Sequence, residues 1–257
     1  MPATPLYLCG PVDSVLNLAH TFVTEHCLPV WACILADSQY AGRGQLRRTW
    51  TSPPGNIYAA LRLPRRTLFA SSAAAPVVGA LLVEAFARQG IDLLLKWPND
   101  LLLRQTSAKG TASGVSLGKV GGVLLEERGG ALIAGIGVNV LSAPSDGDIR
   151  QGGLAAACLN DLPHSNIKTK GELLAFWSCL VDSFILCYRQ WEKLGMHAWR
   201  AIAEQQLVWK GTHVLLDDGE HHQGILLGLA ASGGIRLFCD GAEKEFLSGS
   251  LSPCPLS

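Results

Sequence analysis

The chain alternates between short, wholly apolar runs and longer runs whose apolar residues recur at helical spacing. "LYLC" (6–9) and "VWACILA" (30–36) read as strands on either side of an amphipathic helix near 14–26. "NIYAALRL" (56–63) is a further strand ahead of an Ala-rich helix, and "DLLLKW" (92–97), "KVGGVLLEER" (119–128) and "GALIAGIGVNV" (130–140) are β-rich runs broken by Gly or polar loops. A polar, Gly-rich passage (142–153) precedes residues 171–199, whose apolar positions keep helical spacing. Strands mixed with helices in this way predict an α/β (α+β) core.

The pattern changes at Gly211. "THVLLDD", "HHQGILLGLA", "GIRLFCD" and "EKEFLSG" read as four short strands separated by "DDGE", "ASGG" and "DGA", the spacing of a small barrel-like β module. A boundary near residue 208 follows, dividing the chain into 1–208 and 209–257, with the module as a separate unit beside a complete core. Residues 68–87 carry Glu84 as their only charge and approach the length of a bilayer span. Their Ala and Ser content, Pro76 and Gly79 instead predict a helix buried against a sheet, so no membrane is expected as a partner.

Composition narrows the classes. At 257 residues the chain is long enough for one core of about 200 residues plus an appendage. Lys and Arg total 21, as do Asp and Glu, so there is no basic field and no nucleic-acid partner is expected. The eight cysteines form no C-x-x-C and mostly sit in apolar runs, as buried thiols do in a reducing cytoplasm. "MPATPLYLCG" lacks the basic region and apolar core of a signal peptide, which again predicts a cytoplasmic location.

Three stretches carry candidate chemistry. In "SQYAGRGQLRRTWTSPPGNIYAAL" (38–61), Gly42 and Gly44 let backbone N–H groups approach a ligand closely, and Arg43, Arg47 and Arg48 offer planar cations suited to phosphate or carboxylate. Trp50 nearby has a face on which a nucleobase can stack. "LLLKWPND" (93–100) delivers Lys96 from an apolar strand toward phosphate, with Asn99 and Asp100 available to ribose hydroxyls or Mg²⁺. "GKVGGVLLEE" (118–127) opens a strand with Lys119 and exposes backbone N–H groups at Gly121 and Gly122. Each stretch alone also has a structural reading: a solvated basic loop, an Asx turn after Pro98, and a strand start.

In this order, "GRGQLRRTWTSPPGNIY", "KWPNDLLL", "KVGGVLLE" and "GIGVNV" (135–140) closely resemble the catalytic domain of the biotin protein ligase family. "GILLGLAASGGIRL" is similar to the family's small C-terminal module. The resemblance implies a biotin/lipoate ligase-like domain with a mixed sheet and flanking helices, followed by an SH3-like β-barrel. It implies a monofunctional ligase with no helix-turn-helix segment ahead of the domain. Such an enzyme activates biotin with ATP and Mg²⁺ as biotinyl-5′-AMP and transfers it to a lysine of a biotin carboxyl carrier protein, as a monomer or homodimer.

By position, the resemblance implies catalytic roles for Arg43, Lys119 and Arg48. It puts Ser14, Gln39, Gly42, Arg43, Lys119 and Gly122 around biotin, and Arg48, Trp50, Asn56, Lys96, Asn99, Asp100 and Asn139 around ATP, with Asp100 as the Mg²⁺ ligand. Three departures stand out. "DSVLNLA" replaces the family's Ser-Thr-Asn, setting Val15 or Leu16 where a Thr hydroxyl is usual. Gln45 stands where a further arginine is common, and a Ser-, Thr- and Gly-rich excursion fills 104–118. The alternatives are a lipoate or octanoate ligase or transferase of the same fold, and a non-catalytic ligand-binding protein with a degenerate biotin site.

Overall fold

The computed structural model describes residues 4–26, 28–69, 72–106, 115–145, 154–163, 165, 167–195 and 198–254; most of the 104–118 excursion lies outside these. Seven strands form the first sheet: β1 (Leu6–Cys9), β2 (Cys33–Ala36), β3 (Ile57–Leu63), β4 (Leu93–Lys96), β5 (Asp100–Thr106), β6 (Val115–Arg128) and β7 (Ala131–Val138). Their spatial order is β1-β2-β3-β7-β6-β5-β4. β1 and β2 pair in parallel and every other neighbour is antiparallel, so the sheet is mixed, as expected.

Both faces of this sheet are covered, which explains why its strands read as continuous apolar runs rather than alternating ones. Ile34, Ala36, Tyr58, Ala60 and Ile133 face helix α1 (Val15–Thr24), against which Val15, Leu16 and Ala19 pack. Cys33, Leu35, Ile57, Ala59 and Leu61 face the other side, under α2 (Ala74–Ala87), α3 (Lys170–Leu194) and α4 (Ala198–Gln206). Gly79 brings α2 close to β4, because a Cβ there would lie 2.6 Å from Leu95 Cδ1. α3 starts on a capping box in which Glu172 N–H donates to Thr169 Oγ1 (3.2 Å) and Thr169 N–H donates to Glu172 Oε2 (2.9 Å). Among the described residues only α3 is long and apolar enough to cross a membrane, yet Trp177, Leu180, Phe184 and Trp191 on it are buried in the core. The helix within 68–87 has 14 residues and packs against the sheet, as its composition predicted.

The second sheet is antiparallel, with β8 (His213–Asp217), β9 (His221–Leu229), β10 (Ile235–Cys239), β11 (Ala242–Phe246) and β12 (Ser250–Pro253) in the order β11-β10-β9-β8-β12. The fifth strand escaped the sequence pattern because "SLSP" is too short to alternate; only Leu251 is buried. This sheet does not stand off from the first. Val214, Leu226, Ile235 and Leu237 belong to the same apolar cluster as Val77, Leu95 and Trp97. Trp97 Nε1 donates to Gly233 O (2.9 Å), Val208 N–H to Leu95 O (2.9 Å) and Leu229 N–H to Glu204 Oε1 (2.9 Å). The seven described cysteines are free.

Gly233 has φ +86° and touches α2 so closely that a Cβ would lie 2.2 Å from Ala73 Cα. Gly233→Ala combines left-handed strain with overpacking at this joint, and urea unfolding is expected to show a loss of about 2–4 kcal/mol.

Candidate active site

A cleft of about 410 Å³ opens where strand ends of the first sheet, the start of α1 and the loop before β3 meet β12 of the second sheet. Its floor comes from three strands. Asp100, the first residue of β5, pairs with Gly122 of β6 and with Lys96 of β4. Between Leu101 and Leu102 the β5–β6 register shifts, and Lys119 pairs with Leu102. Because residues two apart on a strand share a face, this bulge turns Lys119 toward the same side as Asp100 and Gly122. Without the extra residue Lys119 would point into the core.

Lys119 Nζ lies 2.6 Å from Asp100 Oδ1, and Lys96 Nζ lies 2.9 Å from Asp100 Oδ2. Burial on its own pushes the Asp100 carboxyl up, but Lys119 and Lys96 together outweigh it and hold the group below the usual carboxylate range. Lys119 also sits 5.3 Å from the centre of the Trp50 ring. A Cβ on Gly122 would make only ordinary contacts, 3.7 Å from Asn99 O, Asp100 Oδ1 and Lys119 Cε. Packing therefore does not demand glycine at 122; its missing side chain leaves space beside Lys119. Gly135 and Gly137 on β7 are packing glycines, since a Cβ would lie 2.8 Å from Leu16 Cδ1 and from Trp50 Nε1 respectively.

The cationic loop is a small hairpin. Trp50 N–H donates to Gly42 O (2.9 Å) and Gly44 N–H to Arg48 O (2.7 Å), with a 3₁₀ turn at Gln45–Arg47 whose Leu46 has φ 55°. Gly42 is required by the hairpin itself, because a Cβ would lie 2.4 Å from Trp50 O. Arg43 Nη2 donates to Asn17 Oδ1 (2.9 Å) and Glu126 Oε1 (3.0 Å). Gln39 Oε1 accepts from Val15 N–H (2.9 Å) at the start of α1, while its Nε2 donates to Ser52 Oγ (3.0 Å). Ser14, the N-cap residue, makes no side-chain cap bond. Val15 and Leu16 bring apolar side chains to the cleft wall at this point.

Of the residues singled out in the sequence, Ser14, Gln39, Arg43, Arg48, Trp50, Lys96, Asn99, Asp100, Lys119, Gly122 and Asn139 line this one cleft. Gly42 and Asn56 stand behind it. Asn56 Oδ1 accepts from the N–H groups of Val140 (2.8 Å), Leu141 (3.0 Å) and Ser142 (3.3 Å), so it shapes the chain after β7. Asn99 and Asn139 reach the lining, but their amides also brace the backbone, donating to Val123 O (2.6 Å) and Ala157 O (3.1 Å). Sequence reasoning missed the wall formed by Trp209 and residues 249–253, and the role of Glu126 beneath Arg43. Glu126 carried no signal of its own, because it opens the charged end of its strand next to Glu127 and Arg128.

Asp100 does not fit the role of Mg²⁺ ligand, because each of its oxygens already faces an ammonium. Among the described residues no group of three or more His, Cys, Asp or Glu side chains is placed to hold a metal ion.

This lysine-carboxylate-lysine floor under a Gly-Arg-Gly hairpin is accompanied by a family match. Residues 21–141 match the biotin/lipoate A/B protein ligase family. Among curated relatives, the biotin–[acetyl-CoA-carboxylase] ligase of Paracoccus denitrificans is 35% identical over 130 residues, covering 47% of this chain and 49% of the relative. The bifunctional ligase/repressor of Escherichia coli (strain K12) is 26% identical over 233 residues, covering 86% of this chain and 65% of the relative. The chain thus spans about half the length of the first of these. Among solved structures, the biotin protein ligase of Aquifex aeolicus in complex with biotin and ATP aligns with TM-score 0.74 and 26% identity, covering 96% of this chain and 97% of that one.

The depressed Asp100 pKa makes a signed prediction. A carboxylate held low contributes stability that is complete above its unfolded pKa, about 3.9, and lost as pH falls through the folded value. Asp100→Asn, which leaves two ammoniums uncompensated, is expected to be clearly less stable than wild type at neutral pH. Chemical denaturation at several pH values should show that gap narrowing below about pH 4.

Proposed function

We propose that the chain is a biotin protein ligase: it activates biotin with ATP and passes the biotinyl group to a lysine of a biotin carboxyl carrier protein. The carrying observation is the largely buried Asp100 carboxylate clamped between Lys119 and Lys96 beside a side-chain-free Gly122, a fixed cationic floor with room for an anion. The names of the relatives above favour biotin over the lipoate or octanoate alternative. The retained Arg43, Lys96 and Lys119 favour turnover over mere binding.

In the first step an oxygen of the biotin carboxylate attacks the α-phosphorus of ATP. The bond from that phosphorus to the β-bridging oxygen breaks, giving biotinyl-5′-AMP and pyrophosphate. Two anions must approach one another, so the chain's contribution is orientation and positive charge. Lys119, steered by Asp100, and Arg43 neutralise the carboxylate and the α-phosphate, and Gly122 lets them approach the strand backbone. Arg48, Lys96 and Asn99 border the nucleotide, with Trp50 offering an aromatic face. Asn139 supports the wall near adenosine, and Ser14 and Gln39 face the biotin head group. In the second step the carrier's neutral ε-amine attacks the acyl carbon, the acyl–oxygen bond to AMP breaks, and a proton leaves the new amide nitrogen. Mg²⁺ is assigned no ligand from this chain.

Pyrophosphate release that depends on biotin tests the reading; release with lipoate or octanoate instead, or biotin binding with no release, would overturn it. Within it, Lys119→Ala should lower the rate of adenylation by about 100- to 1,000-fold in a protein whose circular dichroism is unchanged. Gln45→Arg should slow dissociation of biotinyl-AMP by about tenfold in stopped flow, because a guanidinium makes a charge-assisted contact with phosphate that an amide cannot.

A further inference from the structure

We infer that Glu126 is a positioning residue for Arg43, set in turn by the buried imidazole of His20; the inference rests on the ligase reading. Glu126 lies on β6 two and four residues beyond Leu124 and Gly122, both cleft-lining, so strand periodicity puts its carboxylate on the α1 side. From there Oε1 accepts from Arg43 Nη2 at 3.0 Å, and Oε2 lies 3.0 Å from His20 Nε2. A carboxylate only accepts, so His20 presents Nε2–H to it. His20 Nδ1 is buried with no hydrogen-bond partner among the described residues, so the contact to Glu126 is the polar contact that orients this packed ring.

The consequence falls on the orientation of the guanidinium. Among the described residues both polar contacts of Arg43 fall on Nη2, one from Glu126 and one from Asn17, whose own Nδ2 donates to Asp13 Oδ2 at 2.6 Å. One corner of the fork is pinned to α1 and β6, and the other edge is left for an anion in the cleft that Arg43 lines. The pin is also shielded: the Glu126 side chain is 23% exposed and that of His20 6%, against 37% for Arg43. A loop arginine on a glycine-flanked hairpin has several rotatable bonds to order when it meets a ligand. Glu126 orders them beforehand, which converts to affinity.

Calorimetric titration of biotin and pyrophosphate-release kinetics on five proteins test this: wild type, Glu126→Gln, Glu126→Asp, Arg43→Ala and the Glu126→Gln/Arg43→Ala double variant. Glu126→Gln should raise the biotin Kd and KM roughly tenfold, the scale of one charge-assisted hydrogen bond, with kcat little changed. Because Glu126 acts through Arg43, Glu126→Gln should add nothing further in the Arg43→Ala background, and Glu126→Asp should recover part of the loss. A Glu126→Gln protein with wild-type Kd overturns the inference. So does an equal loss in both backgrounds, which would mean Glu126 supports the fold and not Arg43; thermal melts of all five identify that case. Wild-type protein that neither binds biotin nor releases pyrophosphate overturns the ligase reading and this inference together.

Discussion

One largely buried carboxylate organises the cleft. Asp100 begins β5 between a lysine on each neighbouring strand and compensates the charge of both, Lys96 in a largely buried position and Lys119 at the cleft edge. The same clamp gives Lys119 a fixed address at the edge of an open space. A lysine on a long stem is a poor positioning device when free, since its rotamers must be frozen each time a ligand binds. Held at 2.6 Å by Asp100 and flanked by the Trp50 ring, it is already ordered.

Everything around that clamp keeps it in register. The β5–β6 bulge turns Lys119 into the cleft, Asn99 ties the preceding turn to Val123, and Asn56 gathers three successive amides after β7. Polar side chains that a motif reader assigns to ligand contact thus divide between two tasks. Asn56 is wholly engaged in bracing, whereas Asn99 and Asn139 brace and also reach the lining. The distinction matters for interpreting mutants, because loss of a brace displaces several groups at once and mimics loss of a contact.

The second sheet closes the site rather than decorating it. Its apolar residues share one cluster with α2, β4 and Trp97, and β12 supplies a wall of the cleft. A small five-stranded sheet buries too little on its own to be robust, and docking against a larger core supplies the missing burial.

Local sequence determined most of the strands and helices of the larger sheet, because wholly apolar runs of four to eight residues bounded by polar loops admit few other structures; β5 was missed, since its run follows "DLLLKW" after only a short turn and leads into the 104–118 excursion. It also determined the residues that assemble: Arg43, Lys96, Asp100 and Lys119 were legible as charges placed at strand ends and in a glycine-flanked loop. Pattern alone did not reveal β12, the shared core or the partner of Arg43. Those depend on contacts between segments far apart in the chain, such as Trp97 with Gly233 and Arg43 with Glu126. Periodicity reports which face of an element is buried but not what covers it. The choice of Lys119's two partners, and of Glu126 rather than solvent for Arg43, was decided only when the strands paired and α1 packed across them.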